Sequence, residues 1–420
     1  MGLRSPTAVI MKLDIPFVRQ QFPAFDDAHR VAGHAFDAAA GSFPCRQSID
    51  ALTDFYANCK VQPGNPYPVS EIGQARMQAS KRQWAAALNV AEHELGFGPS
   101  TTQNIYVLAN AFREWLQPGD EVIVTNQDHE SNTGAMRRAV VAAGAHIVEW
   151  QVEPDTGLLN TENLPALFNA RTRLICVPHS SNITGTRNDI PLIVKLAKAH
   201  GAFSLVDGVS YVPHDIPDVG ALGADIYLFS LYKVFSVHQG VMVIREGLLA
   251  QLPKQGHFFK ETLDVAERMV PAGPDHAQVG AAGAVLDYIQ ALAAHHNMSS
   301  DIGQACRDVS GLWHAHENAI IKPLFDYLTT RQNIRLLGAR TVDADRCPLL
   351  ALDVKDVDPE VLAQQLCTAN ILCSAGHFYA PRILAAVGIE PDKGVLRLSM
   401  AHYNDAADIS ALIAALDQLT

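Results

Sequence analysis

The stretch Ile226-Tyr-Leu-Phe-Ser-Leu-Tyr-Lys-Val-Phe-Ser-Val237 places one charged side chain, Lys233, inside an apolar run. Its β-branched and aromatic residues are typical of a buried strand. An ammonium group in such surroundings loses its hydration, so a lysine there either reaches water with its tip or is kept as a neutral amine. A neutral, desolvated amine is the form that attacks a carbonyl carbon. Lys233 is therefore a candidate catalytic residue at the end of a strand.

A carboxylic acid precedes this run at the end of an earlier strand-like segment, Ala202-Phe-Ser-Leu-Val-Asp207. Pyridoxal 5'-phosphate (PLP) requires an acid that keeps its pyridine nitrogen protonated and a lysine that forms a Schiff base with its aldehyde. Asp207 and Lys233 together predict a PLP site.

Strand-like and helical segments alternate along most of the chain. Helical patterns, such as Thr133 to Ala143 and Pro191 to His200, separate short apolar runs. Strands that are apolar on both faces and separated by helices indicate a mostly parallel sheet, so the predicted fold class is α/β. The strand-like runs are Glu121-Val-Ile-Val-Thr125, His146-Ile-Val-Glu-Trp150, Arg173-Leu-Ile-Cys-Val177, Phe203-Ser-Leu-Val206, Ile226-Tyr-Leu-Phe229 and Val241-Met-Val-Ile244.

The length of 420 residues indicates two domains rather than one. From about Ala277 the sequence pattern changes and predicts Ala-rich helices followed by short strands. We therefore predict an N-terminal segment (1–30) that packs on the small domain, a large PLP-binding domain (31–285) and a smaller C-terminal domain (286–420).

Composition and charge argue against several classes of protein. The net charge of −12, without a basic cluster, argues against a nucleic-acid partner. No apolar run is long enough for a membrane span, and the N-terminal apolar patch is too short for a signal peptide. The cysteines are scattered and form no CxxC pair, which indicates a reducing, cytoplasmic location and no zinc site.

Polar groups follow the ends of several predicted strands. Gly98-Pro-Ser-Thr-Thr102 precedes a helical stretch and offers hydroxyl and backbone donors to a phosphate. His129 is placed to stack on a cofactor ring, and Asn182 to donate to a ring oxygen. Each feature alone is equally typical of a helix cap, a loop histidine or a turn. Their common position after strand ends predicts the ligand crevice of an open α/β sheet.

Six motifs occur in a fixed order over most of the chain: Ser100-Thr-Thr-Gln103, Asp128-His-Glu-Ser-Asn132, Ser181-Asn-Ile-Thr-Gly-Thr186, Val206-Asp-Gly-Val-Ser210, Phe229-Ser-Leu-Tyr-Lys233 and Arg397-Leu-Ser-Met-Ala-His-Tyr-Asn404. With these motifs the sequence resembles the class V aminotransferase family of fold type I PLP enzymes, in its cysteine desulfurase and selenocysteine lyase branch. The resemblance implies a large domain with a mostly parallel sheet of the seven-stranded type and a smaller α+β C-terminal domain.

The resemblance also implies a role for each matching residue. On the cofactor side, it assigns the phosphate to Thr101, Thr102 and Ser230, ring stacking to His129, the phenolic oxygen to Asn182, the pyridine nitrogen to Asp207 and the Schiff base to Lys233. Ser210 and Tyr232, which lie in the same motifs, are further candidate cofactor contacts. On the substrate side, Arg397 would bind the α-carboxylate with its two-pronged guanidinium. His377 and Tyr379 would shape the substrate pocket or donate a proton.

The sequence departs from the desulfurases at their nucleophilic cysteine, which follows Gly-His shortly before the arginine motif. Here the loop reads Cys373-Ser-Ala-Gly-His-Phe-Tyr-Ala-Pro-Arg382, with Phe378 and Tyr379 around the place of the thiol. Cys373 lies several residues too early. The resemblance is therefore closest to the desulfurase-like subgroup that lacks this cysteine.

Two further departures concern the cofactor. Ser210 stands where relatives carry Gln or His, and Tyr232 where a histidine usually precedes the lysine. The threonine that desulfurases offer to the phosphate of a second subunit would fall near Gly273-Pro-Asp275, and none is there.

These observations predict a PLP-dependent enzyme that acts on an α-amino acid through an external aldimine. We expect a lyase that cleaves a C–S bond, or another bond at Cβ or Cγ, without a persulfide cysteine. Decarboxylation with aldol addition, transamination and epimerisation are alternatives, because orientation decides which bond breaks. A nicotinamide-dependent oxidoreductase is a less favoured alternative, since the chain has no GxGxxG between a strand and a helix.

The expected partners are a small-molecule amino-acid substrate and a second copy of the chain. The resemblance implies a homodimer with its sites at the subunit interface. Tyr67 or the region of Gly273 would then approach the neighbouring site.

Overall fold

The computed structural model describes residues 12–26, 33–342 and 346–420. Much of the predicted N-terminal segment (1–30) lies outside the described residues. The strands are β1 (His34–Ala35), β2 (Leu95–Gly98), β3 (Glu121–Thr125), β4 (His146–Trp150), β5 (Thr172–Pro178), β6 (Phe203–Asp207), β7 (Ile226–Ser230), β8 (Gly240–Ile244), β9 (Ile334–Leu336), β10 (Leu349–Val354), β11 (Ile371–Leu372), β12 (Ser374–Gly376) and β13 (Val395–Ser399).

Helices account for much of the remaining chain. They are α1 (Ile15–Gln20), α2 (Arg46–Asn58), α3 (Pro68–Ala87), α4 (Thr101–Trp115), α5 (Glu130–Ala142), α6 (Ile190–Ala199), α7 (Val219–Leu222), α8 (Glu246–Leu249), α9 (Val265–Arg268), α10 (His276–Ala281), α11 (Ala284–His295), α12 (Ile302–Thr330), α13 (Pro359–Thr368), α14 (Pro381–Ala386) and α15 (Ala406–Leu419).

The central sheet has seven strands in the order β2-β8-β7-β6-β5-β3-β4. Strands β3 to β7 run parallel, whereas β8 is antiparallel to both β7 and β2. The predicted α/β class with a mostly parallel sheet is confirmed. The edge strand β2 was not predicted, because two of its four residues are glycines and glycine is depleted in strands.

Both faces of the sheet are buried, which explains why its strands read as apolar runs. In β5, Leu174 and Cys176 belong to the core on one face, whereas Ile175 and Val177 belong to the core on the other. Successive side chains of a strand point to opposite faces, so such a strand carries apolar residues at successive buried positions.

A smaller antiparallel sheet, in the order β12-β13-β10-β9, lies in the C-terminal part of the chain. Its core is formed with α12, α13 and α15, and includes Leu324, Leu352, Leu398 and Leu412. The predicted domain boundary at residue 285 falls at the start of α11 (Ala284–His295). The division into 1–30, 31–285 and 286–420 itself stays a prediction.

The described part of the N-terminal segment lies against the start of α15. Arg19 forms ion pairs with Asp405 at 2.9 Å and Asp408 at 2.8 Å. Phe22 is fully buried and packs edge-on against Phe235 and Tyr288. The segment therefore also contacts the chain that follows Lys233.

None of the helices in the described part of the chain combines the length and apolarity that a bilayer crossing requires.

Candidate active site

A cavity of about 470 Å³ lies beyond the carboxyl ends of the parallel strands. In an open α/β sheet this edge is where ligands bind. The cavity brings together residues from separate parts of the chain that the sequence singled out. Those that line it are Thr101, Thr102, His129, Asn182, Asp207, Ser210, Ser230, Tyr232 and Lys233.

Lys233 lies in the single 3-10 turn that follows β7 and is 8 % exposed. Burial, together with the nearby guanidinium of Arg397, lowers the pKa of its amine to about 8, while Asp207 and Asp37 oppose this shift. A substantial fraction of the amine is therefore neutral near pH 8, which is the form that bonds a carbonyl carbon.

Asp207 is the last residue of β6 and is 5 % exposed. Burial raises the pKa of its carboxyl to about 6, although the Val209 N–H donates to Oδ1 at 2.8 Å and Lys233 lies nearby. A cationic N–H placed opposite this group would favour its ionised form. The geometry suits the protonated nitrogen of a pyridine ring.

His129 caps the N-terminus of α5, where its Nδ1 accepts from the Ser131 N–H at 3.1 Å. Burial and the neighbouring cations Lys233 and Arg397 lower the pKa of the imidazole to about 3. The ring is therefore neutral near pH 7. Its centroid lies 5.3 Å from that of Tyr379, and the two planes are tilted by 34°. A neutral, flat ring at the cavity wall can stack on an aromatic ligand.

The start of α4 forms the end of the cavity that suits an anion. Thr101 is the first helical residue, after the N-cap Ser100, and its hydroxyl lies 2.7 Å from that of Ser230. A Cβ on Gly240 would lie only 2.4 Å from the carbonyl carbon of Ser100. Glycine at 240 thus lets the helix start approach β8, and the free N–H groups and dipole there favour a phosphate.

Asn182 connects this cavity with the loop that follows β12. Its Nδ2 donates to the Phe378 carbonyl at 2.9 Å, and its own carbonyl accepts from Arg397 Nη1 at 3.3 Å. Among the described residues its buried Oδ1 has no hydrogen-bond partner. An unpaired buried amide oxygen is costly, so this group is available for a ligand.

Arg397 lies on β13 and is only 3 % exposed. Its guanidinium carbon is 3.8 Å from the centroid of the Phe378 ring, and Nη2 is 3.5 Å from Asp37 Oδ1. Burial lowers the pKa of the guanidinium to about 10, against the opposing effect of Asp37. Nε has no partner within the described ranges. A buried cation with long contacts and an unpaired N–H is suited to a carboxylate ligand.

His377 and Tyr379 lie on the exposed loop between β12 and α14. The Tyr379 N–H donates to His377 Nδ1 at 3.0 Å, and the Tyr379 carbonyl accepts from the Glu130 N–H at 2.6 Å. Neither residue lines the 470 Å³ cavity, although Tyr379 contacts its wall at His129.

Comparison with known proteins agrees with this geometry. A family model described as Aminotransferase class-V matches residues 34–412. The chain belongs to the aminotransferase class-V family.

An aminotransferase-like protein of Gibberella zeae is 30 % identical over 96 % of this chain and 97 % of its own length. A probable cysteine desulfurase of Pseudomonas putida is 27 % identical over 95 % and 97 %. Among solved structures, the cysteine desulfurase CsdA of Escherichia coli aligns with a TM-score of 0.80 at 27 % identity, covering 97 % of this chain and 98 % of that one. This class V aminotransferase-family protein is therefore a PLP-dependent enzyme with the fold of type I PLP enzymes.

The cavity fits PLP. It offers an amine of lowered pKa for the aldehyde, a buried carboxyl for the ring nitrogen and hydroxyls at a helix start for the phosphate. The unpaired amide oxygen of Asn182 shows that a polar group is left for a ligand at the same wall.

Sequence reasoning missed several residues of this class V site. Four more residues line the cavity: Ser131 and Val209, which lie inside the motifs but had no predicted role, and Pro178 and Ser180, which lie just before a motif. Asp37 lies far away in sequence and approaches Arg397 only because β1 pairs with β11 and Asp37 bridges to Ser399. Two-residue strands give no periodic signal, so nothing in the sequence pointed to Asp37.

Proposed function

We propose that this class V aminotransferase-family enzyme is a lyase that cleaves a C–S bond, or another bond at Cβ or Cγ, of an α-amino acid without a persulfide cysteine. The observation that carries the proposal is the pairing of a PLP cavity with a substrate loop that supplies no thiol. None of the seven cysteines, all of which are described, lines the cavity.

Cys373 is the cysteine closest in sequence to the substrate loop. It lies between β11 and β12 and packs against the core of the smaller sheet. Burial raises the pKa of its thiol to about 12, and the nearby carboxylate of Asp37 adds to this shift. A thiol with such a pKa is protonated at neutral pH and is a poor nucleophile. This supports a reaction in which Cys373 does not capture the leaving group.

The residues around the cavity divide the work of such a reaction. Bound PLP would withdraw electrons from the Cα of the amino acid. Asp207 would hold the proton on the ring nitrogen, and Thr101, Thr102 and Ser230 would hold the phosphate. His129 would cover one ring face, while Asn182, Ser210 and Tyr232 would complete the ring's surroundings.

Lys233 is the best-placed group to bond the cofactor and to move a proton at Cα. Its pKa of about 8 lies close to physiological pH, where a general base works most efficiently. His129, with its pKa of about 3, is a poor proton store, which leaves Lys233 as the base.

Arg397 would bind the α-carboxylate and so decide the orientation of the amino acid. To do so it exchanges its stacking contact with Phe378 for a charge-assisted pair with the substrate. His377 and Tyr379 would then surround the side chain of the substrate and supply a proton to the leaving group.

We further propose that the enzyme is a cytoplasmic homodimer. Tyr67 is 42 % exposed, and an apolar groove of about 750 Å³ next to the start of α4 is lined by Pro99, Met269 and Gly273. Exposed apolar surface beside an active site is typical of a subunit contact. Sedimentation of the PLP-loaded enzyme should give a dimer, and an active, loaded monomer would contradict the proposal.

The reaction is tested by incubating the PLP-loaded enzyme with a panel of α-amino acids and identifying every product, with Lys233→Ala as the inactive control. A lyase releases the side-chain fragment with ammonia and a 2-oxo acid. Release of CO₂ with a new C–C bond would favour decarboxylative aldol addition instead. Transfer of the amino group or inversion at Cα alone would favour transamination or epimerisation, and each of these three results would refute the lyase.

A further inference from the structure

A smaller cavity adjoins the candidate active site, and Ser210 and Lys233 line both. Apart from these two residues and His214, its walls are apolar and include Phe235 and Leu349. It offers about 10 Å³ for the centre of a water molecule. That is about the least space that holds one water, which also needs two or more polar partners. Lys233, Ser210 and His214 are the polar residues among those that line it.

His214 is half of a buried pair that the proposed reaction does not use. Its Nδ1 lies 3.0 Å from Glu317 Oε1, and the two residues are 6 % and 1 % exposed. In the described ranges, the other oxygen, Glu317 Oε2, has no partner. A carboxylate that accepts from Nδ1–H leaves Nε2 as the ring nitrogen that can accept a proton.

A hydrogen bond close to His214 holds this pair in place. The Ile216 N–H donates to Ser310 Oγ at 3.0 Å, which fixes the loop carrying His214 to α12. Ser310 and Glu317 are about two turns apart on that helix and so share a face. The hydrogen bond from Ile216 to Ser310 therefore holds His214, two residues earlier in the loop, beside Glu317 on α12.

We propose that one buried water joins Lys233 Nζ to His214 Nε2, and that the His214–Glu317 pair stores the proton that Lys233 exchanges. When an incoming amine displaces Lys233, the C–N bond to the lysine breaks as a C–N bond to that amine forms, and the amine gives up one proton to solvent. The Lys233 nitrogen takes up one proton from the His214–Glu317 pair through the water, so that it leaves as a neutral amine, and it returns that proton before it bonds again. In the relay itself only N–H and O–H bonds form and break. The inference rests on the proposed role of Lys233 as the amine that bonds PLP. His214 acts through the water and Lys233, so it is a positioning residue.

Other charged and titratable groups face the two ends of this path. Around Lys233 they are Asp37, His129, Asp207 and Arg397, and around His214 they are Glu317, His314 and His402. A variant that changes only His214 or Glu317 leaves the groups around Lys233 in place. Its effect on the proton exchange of Lys233 therefore reports the relay.

The test follows the release of Lys233 directly and needs no substrate. Methoxyamine displaces a lysine from PLP, and the absorbance change gives the rate of release at each pH. For the PLP-loaded enzyme we expect His214→Gln to slow release at least about tenfold and to flatten its pH profile. Glu317→Gln should slow it less. Glu94→Gln is the matched control, because it removes a buried carboxylate that pairs with Arg245 at 3.0 Å away from both cavities, and it should react like the parent.

A second variant keeps the inference testable if His214→Gln does not fold. Ala401→Val leaves the His214–Glu317 pair intact but takes up space in the small cavity, so it should also slow release. Parent-like rates and pH profiles in the variants that fold would overturn the relay alone. A parent enzyme whose PLP is not attached to Lys233 would overturn the proposed role of that lysine together with the relay.

Discussion

The cofactor side and the substrate side of the candidate site are built differently. Asp207 and Lys233 follow buried strands of the central sheet and are 5 % and 8 % exposed. Phe378 and Tyr379 lie on a loop with φ values of 48° and 57°, and Tyr379 is 68 % exposed. Such φ values are uncommon for residues other than glycine. On the proposed function, the sheet would hold the residues that act on the cofactor, and the loop would hold those that select the substrate.

If the cofactor side carries the chemistry, removing its amine should have the largest effect. We expect Lys233→Ala to lower turnover by at least about 100-fold, because both the covalent bond to PLP and the general base are lost. Borohydride reduction followed by peptide mapping should place the pyridoxyl label on Lys233 in the parent. A label on another residue would contradict the assignment.

Asp207→Asn should have the next largest effect. The amide cannot hold a full positive charge on the ring nitrogen, so we expect PLP to remain bound while turnover falls on the order of 100-fold. Turnover and the absorbance of bound PLP measure the two consequences separately. A variant with near-normal turnover would show that Asp207 is not the partner of the ring nitrogen.

On the substrate side, Arg397→Ala should weaken binding more than it slows the reaction. A charge-assisted hydrogen bond contributes about 1.5–3 kcal/mol, so we expect KM to rise on the order of 10- to 100-fold. Arg397→Lys is the matched control, since it keeps the charge and loses the two-pronged geometry. An unchanged KM in Arg397→Ala would place the α-carboxylate elsewhere.

On the cofactor side, the buried carboxyl of Asp207 should also make the stability of the protein without PLP depend on pH. The pKa of Asp207 is about 6 in the folded protein and 3.8 when unperturbed, so its contribution is fully present below about pH 4 and is lost as pH rises through about 6. Asp207→Asn should remove a loss of about 3 kcal/mol over that range. Urea unfolding at several pH values measures it, and identical pH profiles for parent and variant would refute the shifted pKa.

The smallest effect should come from replacing Cys373, the cysteine next to the substrate loop. We expect Cys373→Ser to keep nearly all activity on the true substrate, because a half-buried, protonated thiol outside the cavity should take no part in the reaction. Mass spectrometry after treatment with cysteine should find no protein persulfide. A persulfide on Cys373 together with an inactive Cys373→Ser variant would instead indicate a cysteine desulfurase that uses Cys373 as its nucleophile.

The strands that could be predicted are those that appear in the sequence as short runs of apolar residues. The strand-like run 121–125 coincides with β3, which is buried along its whole length, whereas 146–150 coincides with the partly exposed strand β4. Strands buried on both faces carry apolar residues at successive positions. The short edge strand β2 and the antiparallel direction of β8 leave no such trace, since they depend on partners far away in sequence.

The candidate site divides in the same way. Lys233 and Asp207 were predictable because a charged group is expensive in an apolar run. Asp37 and the His214–Glu317 pair were missed, because their positions depend on how distant segments pack. Chemistry that breaks a local pattern can be found in a sequence, whereas chemistry assembled by tertiary contacts cannot.

Asn182 gives the two sides a common element. Its amide holds the Phe378 carbonyl of the substrate loop, its main chain holds Arg397, and its side chain lines the PLP cavity. A ligand that forms a hydrogen bond with Asn182 on one side would change the hydrogen bonds that Asn182 can form on the other side. If the cofactor and the substrate both bind as proposed, thermodynamic linkage would make occupancy of one side alter affinity at the other by an equal and reciprocal factor. Cofactor and substrate affinity would then be coupled quantities that cannot be tuned one at a time through Asn182.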